Sequence, residues 1–231
     1  MPRSKRYQAL KQLVDPKKFY SPTEAVALVK QTSSTKFDGT IETHLNLGID
    51  VKKGDQQVRA TLLFPHSTGK TKRVAAFVSA VKEKEAKEAG ADLVGAEDLI
   101  EEIAKTGNVN FDVAVASPDM MVKLSKIAKI LGPIGLMPNP KTETVGPNIG
   151  KMVGDIKRGK VAFKNDATGN IHQAIGKSSS SPEALLENLR MFMEAVKKAK
   201  PAASKGTYIR SLTLASTMGP GVKVDLTKFE E

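Results

Sequence analysis

The first place to look for chemistry in this sequence is Ser67-Thr68-Gly69-Lys70-Thr71, which has the composition of a phosphate cradle. A P-loop wraps phosphates with backbone N–H groups of a loop opened by glycine, and its Lys reaches the outer phosphates. The position for that glycine, five residues before Gly69, is held by Phe64, and Pro65 beside it lacks a backbone donor. The segment therefore reads as a linker with a basic end. No G-x-G-x-x-G follows a strand, so no dinucleotide site is supported. His44, His66 and His172 lie far apart without ligand spacing. The chain has no Cys, which excludes disulfides, thiolate zinc sites, iron–sulfur clusters and cysteine nucleophiles. Ser is plentiful, but none sits in a G-x-S-x-G elbow. No catalytic constellation, metal site or cofactor site emerges, and the chain is expected not to be an enzyme.

Two other segments have residue types suited to binding. Residues 129–141 hold Gly132, Pro133, Gly135, Pro138 and Pro140, which should stop any helix and fix a rigid, irregular loop. Leu131, Ile134, Leu136 and Met137 would pack that loop on itself or on a partner. The second segment is Ser216-Thr217-Met218-Gly219-Pro220-Gly221-Val222. Hydroxyls, a small residue and freed backbone N–H groups suit contact with phosphate or with ribose 2′-OH groups. An ordinary Gly-Pro turn closing a sheet fits the same residues.

Lys and Arg number 36 against 25 Asp and Glu, a net charge of +11 over 231 residues. An excess of this size favours polyanionic partners, either nucleic acid or an anionic membrane face. No apolar run approaches the roughly 20 residues that span a bilayer. The basic start, Met1-Pro2-Arg3-Ser4-Lys5-Arg6, is not followed by the long apolar core of a secretory signal. No membrane partner is expected. Aromatic residues make up 5% with no Trp, too few for a large stacking platform.

The elements that must position these groups follow from periodicity. Ser21-Pro22-Thr23-Glu24 has the form of an N-cap, a Pro at N1 and an acid at N3, opening a helix with Ala25, Val26, Leu28 and Val29 on its apolar side. Residues 40–50 alternate, with Ile41, Thr43, Leu45, Leu47 and Ile49 on one face and Glu42, His44 and Asn46 on the other. Lys52-Lys53-Gly54-Asp55 reads as a turn and residues 57–64 as the returning strand of a hairpin. From Val74 short apolar strands alternate with helices, including one from Pro118 with Ser117 as its N-cap, which predicts a small α/β domain around a largely parallel sheet. After Gly159 come a strand at 161–163, a polar turn over 164–172, and a flexible Ser178-Ser179-Ser180-Ser181 run. A helix then extends from Pro182 to about Lys198, and a strand covers 205–216 with Ser211 and Thr213 on its polar face.

The fold class expected is α/β: an α+β basic domain with a split β-α-β sheet, plus an inserted Rossmann-like three-layer α/β domain. The boundaries are 1–67 with 159–231 for the discontinuous domain and 68–158 for the insert. The insert holds 14 Lys/Arg and 12 Asp/Glu, the remainder 22 and 13, so the discontinuous domain carries nearly all the excess charge and should make the main polyanion contact.

Several segments closely resemble one family. They are Ile130-Leu131-Gly132-Pro133-Ile134-Gly135-Leu136-Met137-Pro138-Asn139-Pro140-Lys141, Gly159-Lys160-Val161-Ala162-Phe163-Lys164, Lys205-Gly206-Thr207-Tyr208-Ile209-Arg210-Ser211-Leu212 and Ser216-Thr217-Met218-Gly219-Pro220. The family is that of ribosomal protein number one of the large subunit, in its bacterial-type form. Lys36-Phe37-Asp38 and Gly48-Ile49-Asp50 match as well, and the likeness runs from about Tyr7 to Val224. The resemblance implies a cytoplasmic protein of the ribosome, monomeric when free. It would bind the mobile stalk of large-subunit ribosomal RNA, assist movement and release of exit-site tRNA, and repress translation of its own mRNA. It also implies an RNA-binding set of Lys36, Phe37, Thr40, Glu42, His172, Ser211, Thr217, Met218 and Gly219. The chain departs from the family pattern at Ile134, where a basic residue is usual. An alternative of another class is a phosphate- or nucleotide-binding enzyme using the inserted α/β domain.

Overall fold

The computed structural model describes residues 4–79 and 82–229, so Arg3 of the basic arm lies outside the described residues. In chain order the elements are α1 (Lys5–Gln12), α2 (Pro22–Gln31), β1 (Thr40–Leu47), β2 (Arg59–Leu63), β3 (Val74–Phe77), α3 (Glu83–Glu88), β4 (Leu93–Gly95) and α4 (Glu97–Thr106). They continue with β5 (Val113–Ala116), α5 (Met121–Leu124), α6 (Ala128–Ile134), α7 (Ile149–Lys157), β6 (Lys160–Lys164), β7 (Asn170–Lys177), α8 (Pro182–Lys198), β8 (Ile209–Ser216) and β9 (Gly221–Val224). The chain divides into two compact units, residues 1–69 with 163–231, and residues 70–162.

In the first unit, two helices cover one face of a four-stranded sheet of order β7-β1-β8-β9, antiparallel throughout. Helix α2 starts in a capping box: Ser21 Oγ accepts from Glu24 N–H, and Glu24 Oε2 accepts from Ser21 N–H at 3.1 Å. Such a cap is worth about 1 kcal/mol. Ala25, Val26 and Val29 are fully buried on its inner side. In α8, Ser181 caps the Ala184 N–H and Pro182 sits at N1. Leu185, Leu189, Phe192 and Val196, spaced four, three and four apart, form its buried stripe. These helices cover Ile41, Leu45, Leu47, Ile171, Leu212 and Leu214, all at most 2% exposed.

The expected hairpin is not formed. Strand β1 lies inside the sheet with β7 on one side and β8 on the other, while β2 pairs with β6. Alternation states which face a residue takes but not which strand lies beside it. A 3-10 turn at Gly54–Gln56 interrupts the connection between β1 and β2, which is too long to force a hairpin.

The second unit has a parallel sheet of order β4-β3-β5. Alternate residues of β3 enter opposite cores. Ala75 and Phe77 pack with Ile100, Ile103, Leu124, Ile127 and Leu131, whereas Val74, Ala76 and Val78 pack with Ala86, Ile149, Val153 and Ile156. Helices thus cover both sheet faces, giving the three-layer α/β arrangement expected of this segment.

Two local features differ from the sequence expectation. Ser117 makes no side-chain cap bond, and the segment after it is broken into a 3-10 turn (Pro118–Met120), α5, a second 3-10 turn (Ser125–Ile127) and α6. Residues Gly132 and Pro133 also do not stop the helix, since α6 runs through them to Ile134. Leu131 is fully buried and anchors the turn. Gly135, at φ 80°, then closes it with a Leu136 N–H to Leu131 O bond of 3.0 Å. Burial of one large apolar side chain offsets the single helical bond that proline forgoes near a helix end.

Asn188 holds α8 to the sheet from within the first unit. Its Oδ1 accepts from His66 N–H at 3.1 Å, and its Nδ2 donates to His66 O at 3.1 Å and Ile175 O at 2.8 Å. The side chain is 1% exposed, so removing it strands backbone groups away from water. Asn188→Ala is expected to lower unfolding free energy by about 2–3 kcal/mol in urea denaturation; a change under about 0.5 kcal/mol would show that the network contributes little.

Candidate nucleic-acid interface

Because the helices take one face of the four-stranded sheet, the opposite face is left to polar residues. Strand β1 contributes Glu42, His44 and Asn46. Their register partners are Ala174, His172 and Asn170 on β7, and Ala215, Thr213 and Ser211 on β8. Lys223 of β9 lies opposite Thr213.

The polar side chains are paired across strands. Asn46 Nδ2 donates to Asn170 Oδ1 at 2.7 Å. His44 Nδ1 and His172 Nδ1 are 2.8 Å apart, so one donates and the other accepts, and the rings meet edge to face at 5.0 Å between centroids. His172 Nε2 also lies 3.5 Å from Asp166 Oδ2. Asp166 is fixed by the turn before β7: its carboxylate accepts from Asn170 N–H at 2.7 Å and from Thr168 N–H at 2.8 Å. Those bonds, the Asn170 N–H foremost, hold its carboxyl far below the ordinary range. Burial holds the His44 imidazole below its usual 6.5, the adjacent His172 pushes the same way, and Glu42 opposes them.

At one end of this face three loops converge. The Thr217 N–H donates to Thr40 O at 2.9 Å; its hydroxyl accepts from Thr40 N–H at 2.9 Å and lies 3.1 Å from Thr40 O. Met218 follows at φ 64°, a left-handed conformation that costs a non-glycine residue about 1–2 kcal/mol, and is 66% exposed. A Cβ on Gly219 would come within 2.2 Å of Ser216 Oγ, so any other residue there would force that hydroxyl to move. Arg6 reaches the carbonyl of Met218 at 3.5 Å and Ser34 Oγ at 3.4 Å. The neighbouring loop presents Lys36 exposed and Phe37 at 59% exposure. Thr35 Oγ1 donates to Phe37 O at 2.8 Å, and Asp38 accepts from Ser178 Oγ and Ser179 Oγ, each at 2.8 Å. These hydroxyls, Ser178 first, lower the Asp38 pKa.

The nine residues of the sequence-derived set thus fall into two adjoining groups. Lys36, Phe37, Thr40, Thr217, Met218 and Gly219 form the loop cluster, and Glu42, His172 and Ser211 belong to the open sheet face. Within the first group Thr40 is 8% exposed, and its hydroxyl accepts from Lys177 Nζ at 3.2 Å. Thr40 and the Thr217 hydroxyl therefore shape the loop that displays Met218. His172 lies on β7, not in the polar turn that sequence extended to it. The four-serine run is not a free loop at its start, since Asp38 ties down Ser178 and Ser179. Sequence reasoning missed His44, Asn46, Asn170, Arg6 and Asp38. Alternation had put His44 and Asn46 outward, but their partners depend on a pairing across more than a hundred residues of chain.

Chemically this surface offers paired amides and imidazoles, hydroxyls, a carboxylate acceptor, lysines and two exposed apolar side chains. That set suits 2′-OH groups, base edges and phosphates. It lacks a nucleophile with a positioned base. Residues Ser67–Thr71 run into strand β3, whereas a phosphate cradle leads from a strand into a helix N-terminus. Among the described residues no group of three or more His, Asp or Glu could hold a metal ion, and no helix is long and apolar enough to cross a membrane.

Residues 29–220 match the Ribosomal protein L1p/L10e family. The chain is 53% identical over 223 residues to the large ribosomal subunit protein uL1 of Chloroflexus aurantiacus, covering 96% of this chain and 94% of that one. It is 48% identical over 228 residues to the protein of the same name from Fervidobacterium nodosum, covering 99% and 97%. With that of Frankia casuarinae it shares 49% over 225 residues, covering 97% and 94%.

The depressed His44 imidazole carries a pH dependence whose sign follows from the direction of its shift. A histidine whose pKa is depressed on folding stays neutral where the unfolded chain takes up a proton. Its contribution to stability is complete above 6.5 and is lost as pH falls towards the depressed folded value. The expected NMR titration midpoint of His44 lies below 6.5 and rises in His172→Ala. A midpoint at or above 6.5, unmoved by that substitution, would contradict the pairing.

Proposed function

The chain belongs to the ribosomal protein L1p/L10e family, so it is a protein of the large ribosomal subunit, at work in the cytoplasmic ribosome and not an enzyme, and we propose that it binds the mobile stalk of large-subunit ribosomal RNA through the open sheet face and its adjoining loops. The observation that carries this reading is the uncovered sheet face whose polar side chains are already paired across strands, ending in the exposed Phe37 and Met218. Such a face is preorganised, so little side-chain entropy is lost when RNA arrives. The carboxylate of Glu42 accepts from a ribose hydroxyl or a base amino group, Lys36 addresses a phosphate, and Phe37 packs on a sugar or base. Met218 and the backbone at Gly219 contact the ribose–phosphate chain, while Thr217 and Thr40 hold that loop in shape.

On the same reading, the protein is monomeric when free, assists movement and release of exit-site tRNA, and represses its own mRNA by binding an RNA of similar shape. Residues 1–67 with 159–231 form the RNA-binding domain, and the inserted α/β domain does not handle nucleotides.

The test is a binding series with the stalk fragment of ribosomal RNA at increasing salt. Affinity is expected to fall on the order of a thousandfold between 50 and 200 mM salt, as neutralised phosphates regain counterions. Phe37→Ala and Thr217→Ala should each weaken binding by about 1–3 kcal/mol without unfolding the protein. Unchanged affinity in both variants would place the RNA elsewhere.

A further inference from the structure

The open face extends beyond the residues considered so far. The Tyr20 N–H donates to Lys223 O at 3.0 Å, the Asp225 N–H donates to Tyr20 O at 2.8 Å, and Tyr20 forms a parallel bridge with Val224. One residue of the N-terminal segment is thereby added to the sheet outside β9. Its parity is clear from the inward row, where Tyr20, Val224, Leu212, Leu45 and Ile171 are successive register partners and all at most 8% exposed. The residue before Tyr20 and the residue before Val224 must then face outward. Phe19 is 60% exposed, with Lys223 Nζ 5.8 Å from its ring centroid.

The outward row reads Phe19, Lys223, Thr213, His44, His172 and crosses every strand of the sheet. Four steps of about 4.8 Å make it roughly 19 Å wide. Phe19 is held at its far edge by a fixed turn. Tyr20 Oη accepts from Asp15 N–H at 3.0 Å, Asp15 Oδ1 accepts from Lys17 N–H at 2.9 Å, and Lys18 Nζ lies 4.8 Å from the Tyr20 ring centroid. An exposed aromatic ring beside Lys223, carried on a turn tied together through Asp15 and Tyr20, has the makeup of a nucleobase stacking site.

We propose that Phe19 and Lys223 form a subsite for one unstacked RNA nucleobase and its adjacent phosphate, at the β9 edge of the open face. Phe19 stacks on the base and Lys223 pairs with the phosphate. The subsite rests on the RNA reading of that face. It adds a second stacking position, separate from Phe37 and built from the N-terminal segment.

The chain contains no Trp, so Phe19→Trp introduces a single tryptophan whose emission can be excited selectively over that of tyrosine. Titrating this variant with the stalk rRNA fragment should quench its emission saturably, with the same midpoint as anisotropy of the labelled RNA. Phe19→Ala should weaken binding roughly 5- to 100-fold, and Lys223→Gln should reduce the slope of log affinity against log salt by about one. Tight RNA binding by the wild-type protein, with unchanged affinity in Phe19→Ala and no quenching in Phe19→Trp, would overturn the subsite and leave the RNA reading standing. Absence of RNA binding by the wild-type protein would overturn the RNA reading, and the subsite with it.

Discussion

Strand β1 has no free edge. With β7 hydrogen-bonded on one side and β8 on the other, its backbone groups are satisfied and its register is pinned twice. A slip of one residue would bring Glu42, His44 and Asn46 under the helices and expose Ile41, Leu45 and Leu47. Ionised or unpaired polar groups are costly in such a core. Burial by α2 and α8 therefore decides the composition of both faces, and the surface assigned to RNA is the half of the alternation that the core cannot accept.

That face is ordered rather than simply hydrophilic. The Asn46–Asn170 and His44–His172 pairs span neighbouring strands, and Asp166 steadies His172 from the turn before β7. At the end of the sheet the chain spends conformational energy for display. Met218 takes a positive φ, Gly219 sits where a Cβ would displace the Ser216 hydroxyl, and Thr217 ties the loop to the Thr40 backbone. Strain of this kind persists where surrounding bonds over-determine the backbone. Asp38 does the same for the loop bearing Phe37 by gathering the hydroxyls of Ser178 and Ser179.

Much of this was legible in the residues because local physics governed it. The Ser21-Pro22-Thr23-Glu24 and Ser181-Pro182 caps, the alternation from Thr40 to Leu47 and the strand–helix alternation after Val74 each follow from short-range periodicity or side-chain reach. Three features were hidden for a shared reason. The pairing of β1 with β7 and β8 in place of a hairpin, the His44–His172 pair and the anchoring of Ser178 and Ser179 by Asp38 all depend on which distant segment lies alongside, and alternation carries no such information. The helix through Pro133 was hidden differently, by tertiary burial of Leu131 overriding proline's local preference. Parity also led to the edge position of Phe19, but only once the Tyr20–Val224 bridge was in view.

We propose that RNA lies on the uncovered face of the four-stranded sheet and on the loops at its end. Ultraviolet crosslinking in intact ribosomes, followed by mass spectrometry of the crosslinked peptides, tests it most directly. Ribosomal RNA adducts are expected on peptides spanning residues 36–46, 170–174 and 211–223. Adducts confined to α2, α8 or the inserted α/β unit, with those peptides unmodified, would contradict it.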